Sequence, residues 1–123
     1  MSLLLRVKTF WADIHNQRWD NLAKYFNAKA VIEWPNTNER FCVQDFIKAN
    51  SEYPGKRDIA IERIERCNTT VITVARVRDS GEDTSLYATS FFEFEDSLIV
   101  RLTEYWSENG PAPEWRTKLE LGV

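Results

Sequence analysis

The sequence predicts an α+β domain with helices packed on one face of a curved antiparallel sheet. Three observations predict it. In the first fifty positions the apolar residues recur mostly at steps of three and four, the period of a helix. From Arg57 onward they alternate with period two, in four runs separated by short turns. The chain has 123 residues, 43% hydrophobic and 28% charged, which suits one globular core over residues 1–123 and excludes wholesale disorder.

Leu4, Val7, Phe10, Trp11 and Ile14 form one stripe of an amphipathic helix. Trp19, Leu22, Ala23 and Phe26 repeat the spacing in a second short helix, with Asp20 near its positive end and a break at Asn16-Gln17-Arg18. Together they make a helical hairpin. Ala30, Ile32 and Trp34 then alternate with Val31 and Glu33, a short strand stopped by Pro35. Asn36-Thr37-Asn38 is turn chemistry. Val43, Phe46 and Ile47 return to helical spacing until Tyr53-Pro54-Gly55 ends the third helix. Four strands follow: Ile59 to Cys67, Thr70 to Arg78, Leu86 to Phe94 and Leu98 to Trp106, with Asp79–Asp83 as a hairpin connection. Beyond the loop at Asn109 to Pro113, Glu114-Trp115-Arg116 starts a last short turn or helix.

Several function classes are disfavoured. A net charge of −3 does not suit nucleic acid as the main partner. No apolar run approaches the roughly 18 residues of a membrane span, and Leu3-Leu4-Leu5 is too short for a signal-peptide core. Neither nucleic acid nor membrane is an expected partner, and the expected compartment is the cytoplasm. Cys42 and Cys67, far apart in sequence, are expected to be free and buried. One His and two scattered Cys make a zinc site improbable, and the four glycines form no phosphate loop. No cofactor is expected. No G-x-S-x-G elbow exists, and a single His limits any nucleophilic triad.

Function is sought where a polar group breaks an apolar face. On the last strand Leu98, Val100, Leu102, Glu104 and Trp106 share one face, and only Glu104 is polar. If that face points inward, desolvation raises the Glu104 pKa toward neutrality, where a carboxyl group serves as general acid or base. The competing reading is a structural carboxylate paired with an arginine; Arg63, on the parity of Ile59 and Ile61, is the expected partner. Ser90 is the lone hydroxyl among Leu86, Ala88, Phe92 and Phe94, and either donates to a ligand or bonds nearby backbone. Trp34 faces inward on its parity and needs a partner for its indole N–H. His15 is placed beside the helical stripe and reads more readily as a half-exposed residue than as a base. Asp13 and Asp20 read as surface or cap residues. Tyr87, Phe91 and Tyr105 fall on the opposite sheet face, which suits a partner surface.

The run Phe10-Trp11-Ala12-Asp13-Ile14, continued by Trp19–Phe26 and Ala30–Pro35, resembles the opening of the nuclear transport factor 2-like superfamily. Val43-Gln44-Asp45-Phe46-Ile47 is similar to its third helix. Leu102-Thr103-Glu104-Tyr105-Trp106, with the tail Pro111 to Arg116, resembles its SnoaL-like bacterial members. The resemblance covers nearly the whole chain and is specific for fold rather than activity. It implies a cone-shaped, cystatin-like α+β barrel in which an N-terminal helical hairpin and a third helix enclose a cavity. It also implies a homodimer through the sheet. Ketosteroid isomerases of this superfamily use a Tyr on the first helix, an Asp before the first strand's Pro and an Asp on the second-last strand. Phe10, Trp34 and Ser90 stand there, so that mechanism is not expected. Epoxide hydrolases of the limonene type need an Asp-Arg-Asp set; Arg63 and Glu65 have such spacing, but on an earlier strand. SnoaL-like cyclases use one acidic residue in an apolar pocket, a part that Glu104 can fill.

Two hypotheses follow. In the first, a mostly apolar pocket binds a small apolar or carbonyl-bearing molecule. Glu104 moves a proton, Phe10, Ile14, Trp34, Leu102 and Trp106 form walls, and Ser90 and Arg63 are polar contacts. In the second, the chain is a non-catalytic ligand-binding or dimerisation module with Glu104 tied to Arg63.

Overall fold

A computed structural model describes residues 2–81 and 83–123. The first apolar stripe becomes α1 (Leu3–His15), capped by Ser2, whose hydroxyl accepts the Leu5 N–H at 3.1 Å. Leu3, Val7, Phe10, Trp11 and Ile14 are buried on one face, and Leu4 packs at its margin. The second helical element is a 3-10 helix, Trp19–Tyr25, which buries Leu22; Phe26 already belongs to the next strand. Asp13 is not at the surface. It is 5% exposed and accepts hydrogen bonds from Tyr25 Oη, Arg18 Nε and Asn21 Nδ2, tying the end of α1 to the 3-10 turn. Burial pushes its carboxyl up, but those bonds and the Arg18 charge together outweigh burial and hold it below the ordinary range.

The strands are β1 (Phe26–Trp34), β2 (Glu39–Phe41), β3 (Arg57–Cys67), β4 (Thr70–Asp79), β5 (Ser85–Glu95) and β6 (Leu98–Glu108). They lie in the order β2-β1-β6-β5-β4-β3 in one open sheet. β3 to β6 form the expected antiparallel meander. β1 pairs parallel with β6, so the sheet is mixed, a connection that helix α2 (Val43–Ser51) and the meander make long enough. The three-residue edge strand β2, which the sequence pattern did not reveal, pairs with β1. Glu82, in the expected hairpin connection Asp79–Asp83, lies outside the described residues, as does Met1. α3 (Glu114–Thr117) is the short last helix, and the stretch around it is exposed.

Two β-bulges decide which side chains face the helices. β3 carries one extra residue between Ile61 and Arg63, and β6 one between Ile99 and Arg101. An extra residue reverses the in–out alternation beyond it. On β3 the reversal sends Ile64 toward the core and Arg63 out to solvent, where it pairs with Glu65. On β6 it buries Ile99, while Leu98 and Val100, expected inward, are only half-buried. Past the bulge Leu102 and Glu104 are buried, as the alternation predicts.

The core gathers around Phe10. Its ring meets those of Trp11, Tyr25, Phe26, Phe46 and Phe92 at centroid distances of 5.2–6.4 Å. Trp11 donates its indole N–H to Thr73 Oγ1 at 3.1 Å, which fixes α1 on β4. His15 accepts the backbone N–H of Ile59 through Nδ1 at 3.0 Å. That bond satisfies a donor on the open edge of β3 and gives the lone histidine a structural task. Both cysteines are free but exposed, not buried: Cys42 precedes α2 and Cys67 ends β3 at the hairpin turn. No helix among the described residues is long and apolar enough to cross a membrane.

Candidate functional site

A cavity of about 200 Å³ opens between the inner sheet face and the helices. α1 contributes Trp11 and Ile14, and α2 with the loop after it contributes Phe46, Ala49, Asn50 and Tyr53. The sheet supplies Trp34 from β1, Arg57 and Ile59 from β3, Val77 from β4, Leu86 and Ala88 from β5, and Glu104 and Trp106 from β6. Nearly all of this wall is hydrocarbon or ring.

Glu104 is the acidic group in it. It is 7% exposed, and its two carboxyl oxygens are held separately. Oε2 accepts from Ser90 Oγ at 2.7 Å, and Oε1 accepts from Trp34 Nε1 at 3.1 Å. The sheet register makes this arrangement. Ser90 lies directly across from Glu104 in the β5–β6 pairing, and Trp34 follows Glu33, the partner of Thr103 in the β1–β6 pairing. Thus the strands on both sides of β6 each supply one donor. Neither donor carries a charge. Among the described residues no arginine or lysine is ion-paired with Glu104. Burial pushes the Glu104 carboxyl above the ordinary carboxylate range, and the bonds from Ser90 and Trp34 and the more distant Arg57 charge only partly oppose it.

Trp34 is itself braced. Its ring stands edge-on to Phe41, Phe46 and Trp106, with centroids 4.7–6.2 Å away. Asn36 in the turn after β1 accepts the Trp106 N–H at 2.9 Å, joining that turn to β6 beside the cavity.

Of the residues expected at the site, Glu104, Ile14, Trp34 and Trp106 line the cavity together. Ser90 lies behind Glu104, fully buried, and reaches the cavity only through the carboxyl it holds. Phe10 and Leu102 are fully buried beneath the floor and do not line it. Arg63 is on the outer side, for the bulge reason given above, and makes no bond to Glu104. The cation that does line the cavity is Arg57, with Asn50 and Tyr53 beside it. Arg57 shares the parity of Ile59 and Ile61 and precedes the bulge, so the alternation that suggested Arg63 points to it equally well. No group of three or more potential metal ligands occurs among the described residues.

With a six-stranded sheet packed on helices around this mostly apolar cavity, the chain has the nuclear transport factor 2-like, cystatin-like α+β fold. Solved structures agree. It is similar to a candidate ketosteroid isomerase from Kribbella flavida DSM 17836, at a TM-score of 0.83 and 23% identity, covering 98% of this chain and 89% of that one. It is similar to an NTF-2 like protein of unknown function from Burkholderia xenovorans LB400, at 0.81 and 22%, covering 98% and 94%. An LEH-like epoxide hydrolase of M. tuberculosis matches at 0.71 and 16%, covering 85% and 82%. No family model matches the sequence, and no curated protein matches it significantly.

The raised Glu104 pKa has a consequence for stability. Between the ordinary value of 4.5 and the raised value, the folded state holds the proton more tightly than the unfolded chain does. Stability from this group is therefore complete in acid and is lost as pH rises through the folded-state value. Glu104→Gln removes that loss, since the amide keeps an acceptor for Trp34 and can donate to Ser90. In thermal melts the variant should exceed the parent in Tm at mildly alkaline pH, and the gap should close in acid. Parallel Tm–pH curves would contradict the assignment.

Proposed function

We propose that this chain binds a small, mostly apolar, carbonyl-bearing molecule and transfers a proton with Glu104 as general acid or base. The observation that carries the reading is a carboxyl group buried in an apolar cavity, oriented by two neutral donors and not neutralised by a bound cation. A carboxyl whose proton affinity is raised toward neutrality suits proton abstraction next to a carbonyl, or protonation of a leaving oxygen. The class of reaction is an isomerase, cyclase or hydrolase step of the kind that a single acidic residue can run.

The pattern of a ketosteroid isomerase is not what supports it. At the position where the resemblance implies a Tyr, Phe10 has no polar atom and is sealed in the core. Trp34 and Ser90 donate to Glu104 and replace any second acid at their positions. The acid of this site is on the last strand instead.

The direct experiment is exchange of α-protons in small cyclic ketones dissolved in D2O, followed by proton NMR. The parent should accelerate exchange, and Glu104→Gln should lose about 10²–10⁴-fold of that rate, the usual worth of a positioned general base. Equal rates in parent and variant would leave the non-catalytic reading, a binding module, in its place.

A second copy of the chain is the partner we propose for the outer sheet face. Tyr87, Phe91 and Tyr105 lie there with Ile72 and Val74, half-buried or exposed, and Phe91 meets Tyr105 edge-on at 6.2 Å. Aromatic area of this kind on an outer sheet face suits a self-complementary contact. Two exposed free thiols favour a reducing compartment, so we place the protein in the cytoplasm. Light scattering at micromolar concentration should give twice the chain mass of 14.5 kDa; a monomer would contradict the dimer.

A further inference from the structure

Arg57 is the cavity group that proton transfer by Glu104 does not use. It is the first residue of β3, and its guanidinium is half-buried in the cavity wall. The groups that hold it are neutral. Nη2 donates to the Asn50 backbone carbonyl at 3.2 Å and to Asn50 Oδ1 at 3.3 Å, and the group stacks over the Tyr53 ring, 4.3 Å from the centroid. The nearby carboxylate of Asp79 is occupied elsewhere, accepting from Tyr53 Oη at 2.9 Å and Thr84 Oγ1 at 3.0 Å. No carboxylate lies within 4.0 Å of Arg57 among the described residues. A guanidinium carries five N–H donors in a flat fork, and the bonds here engage one nitrogen. Among the described residues the sealed side-chain donors without a partner are Arg6 Nε and Arg76 Nε, so the spare donors of Arg57 open on accessible space.

Arg57 and Glu104 lie on different walls. β5 and β4 separate β6 from β3, which is roughly 14 Å along the sheet at the usual strand spacing, shortened by its curvature. Both groups line the one cavity. An apolar cavity of about 150 Å³ takes up benzene, so about 200 Å³ has room for one ring bearing a substituent. An arginine that is partly desolvated, stacked on a ring and hydrogen-bonded through one nitrogen is pre-organised for a flat anion, which it can grip with two parallel bonds.

We propose that the cavity takes a single-ring-sized molecule bearing an anionic oxygen group, a carboxylate or comparable oxyanion. Arg57, steadied by Asn50 and Tyr53, binds that group and turns the rest of the molecule toward Glu104. This deepens the pocket reading above and rests on it. Arg57 is a binding residue here, and its loss acts on affinity before it acts on any proton-transfer rate.

The test uses three ring probes of nearly equal shape: benzoate, benzamide and benzylamine. Their binding to the intact protein is measured by ligand-observed NMR and calorimetry near neutral pH. The parent should prefer benzoate to both others. Arg57→Leu should cost benzoate about ten- to a hundredfold in affinity, the scale of a charged hydrogen-bonded contact, and leave benzamide nearly unchanged. Arg57→Lys, which keeps the charge and loses the fork, should fall between. If benzamide binds as well as benzoate, or benzylamine is preferred, the anion assignment is overturned while the pocket reading stands. If none of the three binds, the pocket reading fails with it.

Discussion

The hydrogen bonds from Ser90 and Trp34 to the Glu104 carboxyl are the constraint on which the site depends. They come from β5 and β1, the strands on either side of β6, so the carboxyl is clamped by the sheet's own register. Neutral donors do two things at once. They satisfy the oxygens well enough for an acidic group to be tolerated in an apolar interior, and they leave its proton affinity high. A cation in their place would stabilise the carboxylate and remove the reason to expect acid–base work.

The packing around the cavity serves the same end. Trp34 is wedged by Phe41, Phe46 and Trp106, so its indole N–H has little freedom to leave Oε1. Phe10 and its ring neighbours fill the volume beneath and stop the cavity from collapsing into the core. The Trp11–Thr73 and His15–Ile59 bonds hold α1 against β4 and β3, which keeps the cavity between helix and sheet open. Asp13 anchors the end of α1 from the other side.

Much of this was legible in the sequence, because strand parity is a simple and strong signal. A lone carboxylate on an apolar face marked Glu104, and the same rule turned Ser90, Trp34 and Trp106 inward. What the alternation could not carry was a break in itself. The extra residue on β3 moved Arg63 to solvent, and the one on β6 exchanged Ile99 for Leu98 and Val100. Neither bulge is announced by a glycine or proline in its strand. The burial of Asp13 is not legible in the sequence, because its partners, Arg18, Asn21 and Tyr25, meet it only once the chain has turned back on α1. Arg57 was within reach of the parity rule, but it sits at a strand's first residue, after Pro54-Gly55, where a coil boundary hides the alternation.

The carboxyl of Glu104 can be observed directly. With glutamate labelled by carbon-13 at the side-chain carboxyl, its resonance is followed through a pH titration and identified by its loss in Glu104→Gln. One carboxyl, that of Glu104, should titrate well above the other glutamates of the chain. A Glu104 resonance that titrates with the surface glutamates would contradict it.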